Sequence, residues 1–217
     1  MSAVSSRPTA AAPERAPAPE RILVLACGAL AREVLALVRA NAWAHVDVHC
    51  LPAKLHLVPS RIPAAVDAAL TARAGDHDRV LVAYADCGTN GALDPVLAAH
   101  GAERLAGLHC YGFFAGDAAW RELQEEEPGT FYLTDFLARH VEALVVRPLG
   151  LDRHPELVGD VFGNYRRLLY LAQTEDETLT ARAREAAERL GLAFERRFTG
   201  YGELAPSLTG FVERRAA

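Results

Sequence analysis

The strongest constraint on this chain is a rhythm that begins at residue 21. Short apolar runs alternate with stretches of helical spacing. The runs are Ile22–Ala26 (ILVLA), Val46–Leu51 (VDVHCL), Val80–Tyr84 (VLVAY) and Leu105–His109 (LAGLH). The first and third are continuously apolar, as strands covered on both faces require, whereas the second alternates. Between them, Ala31–Ala40, Ala64–Ala74 and Leu93–His100 carry apolar residues at helical intervals, and Pro59 and Pro63 bracket a turn. The pattern continues with strands at Phe131–Leu133, Leu168–Ala172 and Phe194–Phe198. Helices are predicted over Asp135–Val146, Val158–Arg167 and Thr178–Leu190, the last ended by Gly191. Strands alternating with helices predict an α/β fold: a parallel, Rossmann-like sheet flanked by helices, with two similar halves and a cleft between them left open. The expected divisions are an Ala/Pro-rich disordered tail over 1–20, one half over 21–120 and another over 121–217.

Composition limits the functional classes. A chain of 217 residues, 51% of them hydrophobic, can bury a sizeable core. A net charge of -5 offers no basic footprint for a nucleic-acid backbone. No stretch approaches the ~18 uninterrupted apolar residues of a membrane span. The tail has no apolar segment of the secretory kind. The expected address is therefore the cytoplasm, where thiols stay reduced.

The 4 cysteines are too few for a disulfide scaffold, and no CxxC pair occurs. Their placement says more. Cys27 follows the first predicted strand, Cys87 the third and Cys110 the fourth. In a parallel sheet all strand C-termini open on one edge, where ligands bind. Three thiolates from this edge, with His56 from the KLHLVP loop, make a tetrahedral zinc set. Helices starting after Cys27 and Cys87 are expected to lower the thiol pKa values. A single cysteine at a strand end is more simply a small buried hydrophobe; three at equivalent ends point to metal or thiol chemistry. Cys50 lies inside an apolar run and reads as core. His109, if its strand continues through it, points away from Cys110.

Further candidates bind a cofactor or ligand rather than a metal. Gly28 permits a close approach after the first strand. Asp86, Gly88 and Thr89 lie in a glycine-bearing turn able to cradle an anion with backbone N–H groups. This turn is neither a P-loop nor GxGxxG, and no GxSxG elbow occurs. In the second half Asp135, Gln173, Thr174 and Tyr201 end predicted strands, as a second cleft wall would require. Their simpler readings are a helix cap, turn residues and a packed aromatic.

The segments ACGALAREV, LPAKLHLVP, YADCGTNG, GLHCYGFFAG, EEPGTFYLTDFLARH, LGLDRHPEL, GNYRRLLYLAQT and TGYGEL together resemble the DUF1638 family over about residues 21–205. The family has no assigned activity. The resemblance implies that Cys27, His56, Cys87 and Cys110 belong to its pattern and that Cys50 does not. YADCGTNG stands where that pattern has YGDCGTGG. It also implies an association with corrinoid-dependent methyltransferase systems for methylated amines, and hence a role in one-carbon, methyl-group or corrinoid metabolism. Three functions stay open: an enzyme with a metal–thiolate site acting on a small molecule, an accessory carrying a metal or corrinoid for a methyltransferase partner, and a structural metal site.

Overall fold

Two parallel sheets organise residues 20–214, the span described by a computed structural model. The tail expected over 1–20 lies outside the described residues, apart from Glu20. The first sheet contains β1 (Ile22–Cys27), β2 (Val46–Leu51), β3 (Arg79–Ala83) and the two-residue β4 (Glu103–Arg104), in the order β2-β1-β3-β4. The second contains β5 (Thr130–Leu133), β6 (Arg167–Ala172) and β7 (Ala193–Phe198), in sequential order. Every strand pair in both sheets is parallel. The fold is α/β.

The apolar runs explain the two central strands. All six residues of β1 and all six of β6 are buried, because each strand has a neighbour on both sides and helices over its faces. Helices α1 (Ala31–Ala40) and α2 (Ile62–Arg73) pack on the first sheet, and α3 (Asp94–Ala99) precedes β4. Pro63 sits in the first turn of α2, where its missing N–H costs nothing. On the second sheet, α6 (Asp135–Val141) and α8 (Glu177–Leu190) enclose a core that includes Leu133, Leu168, Tyr170, Leu179 and Ala183. Each fully buried Leu, Ile or Val in these cores contributes about 1.5–3 kcal/mol.

The strand expected over Leu105–His109 does not form. The ladder between β3 and β4 stops at Arg104, and Gly107 adopts a φ of 125° that no regular strand residue takes. The segment stays beside β3 through Leu105 N–H to the Val82 carbonyl (3.2 Å) and Cys87 N–H to that of Leu108 (3.2 Å). Cys110 therefore opens helix α4 (Cys110–Ala115) instead of closing a strand. The helix expected over Asp135–Val146 is interrupted where His140 leaves helical geometry, and a single π-type turn covers Glu142–Val146. The helix expected over Val158–Arg167 is the short α7 (Val158–Phe162). Arg167 already belongs to β6, where its guanidinium binds Thr130 and Glu195.

The two halves interlock. The expected boundary between residues 120 and 121 falls inside α5 (Asp117–Glu126), which packs Leu123 and Trp120 against Tyr132, Leu169 and Leu171 of the second sheet. The final helix, α9 (Leu204–Glu213), returns to the first core with Leu204, Leu208 and Phe211. Arg79 at the start of β3 holds it, donating to the Phe211 carbonyl (2.6 Å) with its guanidinium 4.3 Å from the Phe211 ring centroid. No described helix is long and apolar enough to cross a membrane.

Candidate metal and ligand site

The strand order creates one switch point. From β1 the chain moves to β2 on one side, then crosses to β3 on the other. Crossovers that leave in opposite directions open a crevice outside the carboxyl ends of β1 and β3. Cys27 is the last residue of β1, and Cys87 lies just beyond β3. The second sheet runs in sequential order and has no such reversal.

Cys27 is 3% exposed. Its sulfur accepts the Ala29 N–H at 3.3 Å and lies 3.7 Å from His56 Nδ1. His56 belongs to a 3₁₀ turn over Ala53–Leu57. Its Nδ1 is 3.2 Å from the Ala53 carbonyl oxygen. A carbonyl only accepts, so Nδ1 carries the proton of the neutral ring and Nε2 keeps its lone pair. His109 is arranged the other way. It caps α4, its Nδ1 accepts the Tyr111 N–H at 3.3 Å, and the Cys110 sulfur lies 3.5 Å from the same atom. Its remaining nitrogen then bears the proton, so His56 is the imidazole with a free lone pair.

Cys87 adopts a left-handed backbone, with φ 51°. That conformation costs a non-glycine residue roughly 1–2 kcal/mol. Such strain concentrates where function fixes a side chain.

Burial dominates the ionisation of these groups. It pushes the Cys27 thiol up to about 11. Burial and the neighbouring Cys27 push Cys87 up to about 12. Cys110 is raised well above the ordinary thiol range by burial, then by Cys87 and Cys27. Cys27 and Cys87 belong to the first core with Cys110 packed against it, and Cys87 and Cys110 line one cavity. The expected lowering by helix ends does not occur. A short 3₁₀ turn follows Cys27 and its N–H contact is outweighed by burial, while no helix starts after Cys87 until Asp94. Burial also lowers His56, and takes His109 down to about 4, helped by His56 nearby. Near neutral pH both imidazoles and all three thiols are uncharged.

A cavity of about 430 Å³ opens here between the halves. The first half lines it with His56, Cys87, Gly88, His109, Cys110 and Tyr111. Phe131, Thr134, Phe136, Leu137, Leu144 and Val145 form the opposite wall. His109 and Cys110 both reach it, against the expected alternation, because they are a cap and the first residue of a helix. Behind the thiols lies Tyr84, whose ring is parallel to His56 within 7° at 6.0 Å. Its buried hydroxyl has no hydrogen-bond partner. Cys27 perturbs that phenol, yet no hydrogen bond of ordinary geometry joins them. Among the described residues, no three His, Cys, Asp or Glu side chains stand in a metal-holding arrangement as they are.

Other candidates have local work. A Cβ on Gly28 would lie 2.8 Å from the Leu51 carbonyl oxygen, so glycine lets the turn after β1 pack on β2. In the turn after β3 the anion is the protein's own: Asp86 accepts from the Gly91 N–H (2.8 Å), the Thr89 hydroxyl (3.0 Å) and the Asn90 N–H (3.1 Å). Those contacts hold the Asp86 carboxyl below its usual range, the Gly91 N–H foremost. Gly88 alone of that group lines the cavity. Gln173 and Thr174 are committed to Asp135, and burial, with Glu33 and Asp135 adding to it, raises the Tyr201 phenol. None of these lines the cavity. Cys50 is half-buried against the first core. Sequence reasoning missed Tyr84 and the apolar wall, and it turned His109 away from the site; the LTDFL segment held a signal for the wall, since Phe136 and Leu137 follow a capping Thr134.

The family described as "Protein of unknown function (DUF1638)" matches residues 50–208. A search of curated proteins finds no match. Among solved structures, ornithine carbamoyltransferase from Pyrococcus furiosus is similar over 83% of this chain and 55% of its own length, with 14% identity and a TM-score of 0.28.

Proposed function

The chain belongs to the DUF1638 family, and from that premise we propose that it is a metal–thiolate protein of one-carbon or methyl-group metabolism. Cys27, Cys87 and Cys110 hold a zinc-type ion, with His56 Nε2 as the fourth donor. The observation that carries this reading is that Cys87, Cys110 and His56 line one cavity, while the Cys27 sulfur lies 3.7 Å from the His56 ring. Thiolate and imidazole donors together suit zinc. The sulfurs have to rotate to other staggered positions to converge, since no metal-holding geometry is already formed.

The residues have separable tasks. Each cysteine gives up its proton on metal binding, which turns three neutral buried thiols into charge-compensated ligands. The Ala53 carbonyl fixes the tautomer of His56, as outer partners of ligating histidines do. The Tyr84 hydroxyl supplies an O–H donor for the Cys27 thiolate. With the three thiolates alone as protein donors, a zinc ion would keep its fourth position open to the cavity and would supply Lewis-acid activation of a thiol or water there; with His56 bound as well the site would be closed. A second reading is favoured by the exposed apolar side chain of Leu57 at the cavity: the same metal site serves while docked on a methyltransferase partner. Carriage of a whole corrinoid gains no support from a cavity of about 430 Å³, which is small for so bulky a macrocycle.

Metal analysis is the first test. Chain purified with reductant and without air is expected to hold about one equivalent of zinc, or to take up cobalt(II) with thiolate charge-transfer absorption. Less than about a tenth of an equivalent after loading sinks the proposal. Tyr84→Phe gives a second test with opposite signs in two states. Removing an unsatisfied buried hydroxyl is expected to leave the metal-free protein as stable, or up to about 1–3 kcal/mol more stable. Losing the donor to Cys27 is expected to weaken metal binding about 10–100-fold. Unchanged metal affinity would exclude that role for Tyr84.

A further inference from the structure

The cavity has a chemical character that a metal alone does not dictate. None of the residues lining its 430 Å³ is Asp, Glu, Lys or Arg. Its polar lining side chains are thiols, imidazoles, the Tyr111 phenol and the Thr134 hydroxyl, so no carboxylate, ammonium or guanidinium faces the space. The Tyr111 hydroxyl is already committed to the Tyr132 carbonyl at 3.2 Å. The wall facing the thiols is Phe131, Phe136, Leu137, Leu144 and Val145, with the Thr134 hydroxyl beside them. That hydroxyl accepts the Leu137 N–H at 3.4 Å. A carboxylate, phosphate, sulfonate or ammonium group placed here would lose water and meet no counter-charge, which is the costly case for a buried ion.

One wall is therefore soft and rich in sulfur, and the other is apolar and uncharged. The volume lies at the small end of ligand pockets. From this we propose that the site takes an uncharged organosulfur compound, an alkane thiol or dialkyl thioether, with its sulfur toward Cys87 and Cys110 and its carbon chain against Phe136 and Leu137. Charged thiols are discriminated against. The orientation toward a metal rests on the function proposed above, whereas the preference for a neutral ligand follows from the lining alone.

Two protein states separate these parts. The full chain, metal-free and then cobalt-loaded, is titrated under reductant with 1-butanethiol and with 3-mercaptopropionate. Fluorescence of the Tyr111–Trp120 pair, whose rings are 5.2 Å apart, reports occupancy. Butanethiol is expected to bind both states, more tightly with cobalt and with a change in charge-transfer absorption. Mercaptopropionate is expected to bind roughly 100-fold more weakly. Phe136→Lys, at a half-buried wall position, is expected to narrow that gap by adding a counter-charge. Failure to load cobalt removes the metal reading only, because the metal-free comparison still decides the ligand class. Equal or tighter binding of mercaptopropionate overturns the proposal, as does butanethiol failing to bind either state.

Discussion

Replacing Asp135 with alanine is expected to destabilise the protein by about 3–5 kcal/mol, the range for stranding buried partners of a charged group. Asp135 is 1% exposed. Its carboxylate accepts from the Tyr170 hydroxyl (2.6 Å), the Gln173 N–H (2.9 Å) and the Thr174 hydroxyl (2.5 Å), and Arg139 approaches to 4.0 Å. Gln173 returns the contact, accepting the Asp135 N–H at 2.7 Å and donating to the Leu171 carbonyl at 2.6 Å. Alanine leaves a fully buried tyrosine hydroxyl and a buried backbone N–H without acceptors. Asp135→Asn is expected to cost less, because one amide oxygen still accepts while the amide group meets donors. Urea unfolding midpoints at constant m-value measure both. A cost below about 1 kcal/mol for alanine would show that the network does not hold α6 to the second sheet. The consequence for the cavity is direct, because α6 carries Phe136 and Leu137 and is capped by Thr134.

The same network shows where legibility in the sequence stops. Asp135, Gln173 and Thr174 were visible as polar residues ending apolar runs. Nothing in one strand, however, reveals that they satisfy each other across strands 38 residues apart in sequence. Local signals carried further. The continuous apolar runs located β1 and β6, and helical spacing placed α1 with both its bounds. Runs with a single clear period were readable because burial on one face or on both leaves a repeating mark. Leu105–His109 misled because an apolar run also suits a segment lying beside a strand outside its ladder, and one glycine at φ 125° decides between them. Cys27, Cys87 and Cys110 were legible only as cysteines following predicted strands, a grouping whose premise fails at Cys110, which opens α4. Their environment was not, since it depends on strand order and on a wall from the other half. Helix ends were expected to favour thiolates at Cys27 and Cys87; burial outweighs the short turn after Cys27, no helix follows Cys87 until Asp94, and depth is a property of the packed chain.

Depth also sets the outcome at Cys87. Cys87→Ser is expected to reduce metal affinity at least about 100-fold, while the fold persists within roughly 1–2 kcal/mol. A hydroxyl remains a poor ligand for a soft site, because its oxygen is far less acidic and less polarisable than sulfur. Cys87→Gly makes the sharper comparison. Glycine loses the buried sulfur but accepts a φ of 51° without the left-handed penalty, so its metal-free stability is expected to lie within about 1 kcal/mol of the parent. Loss of metal without loss of stability identifies strain kept for the sulfur. A loss of several kcal/mol in the metal-free glycine variant would instead make Cys87 a packing residue. Proton release gives an independent readout. With Cys27 near 11, Cys87 near 12 and Cys110 higher still, all three thiols are protonated at neutral pH, so metal uptake frees one proton from each ligating thiol. Apparent affinity therefore rises with pH below those values. The slope of log affinity against pH is expected to approach about three in the parent and about two in either Cys87 variant. An unchanged slope would remove Cys87 from the ligand set even if the affinity had fallen.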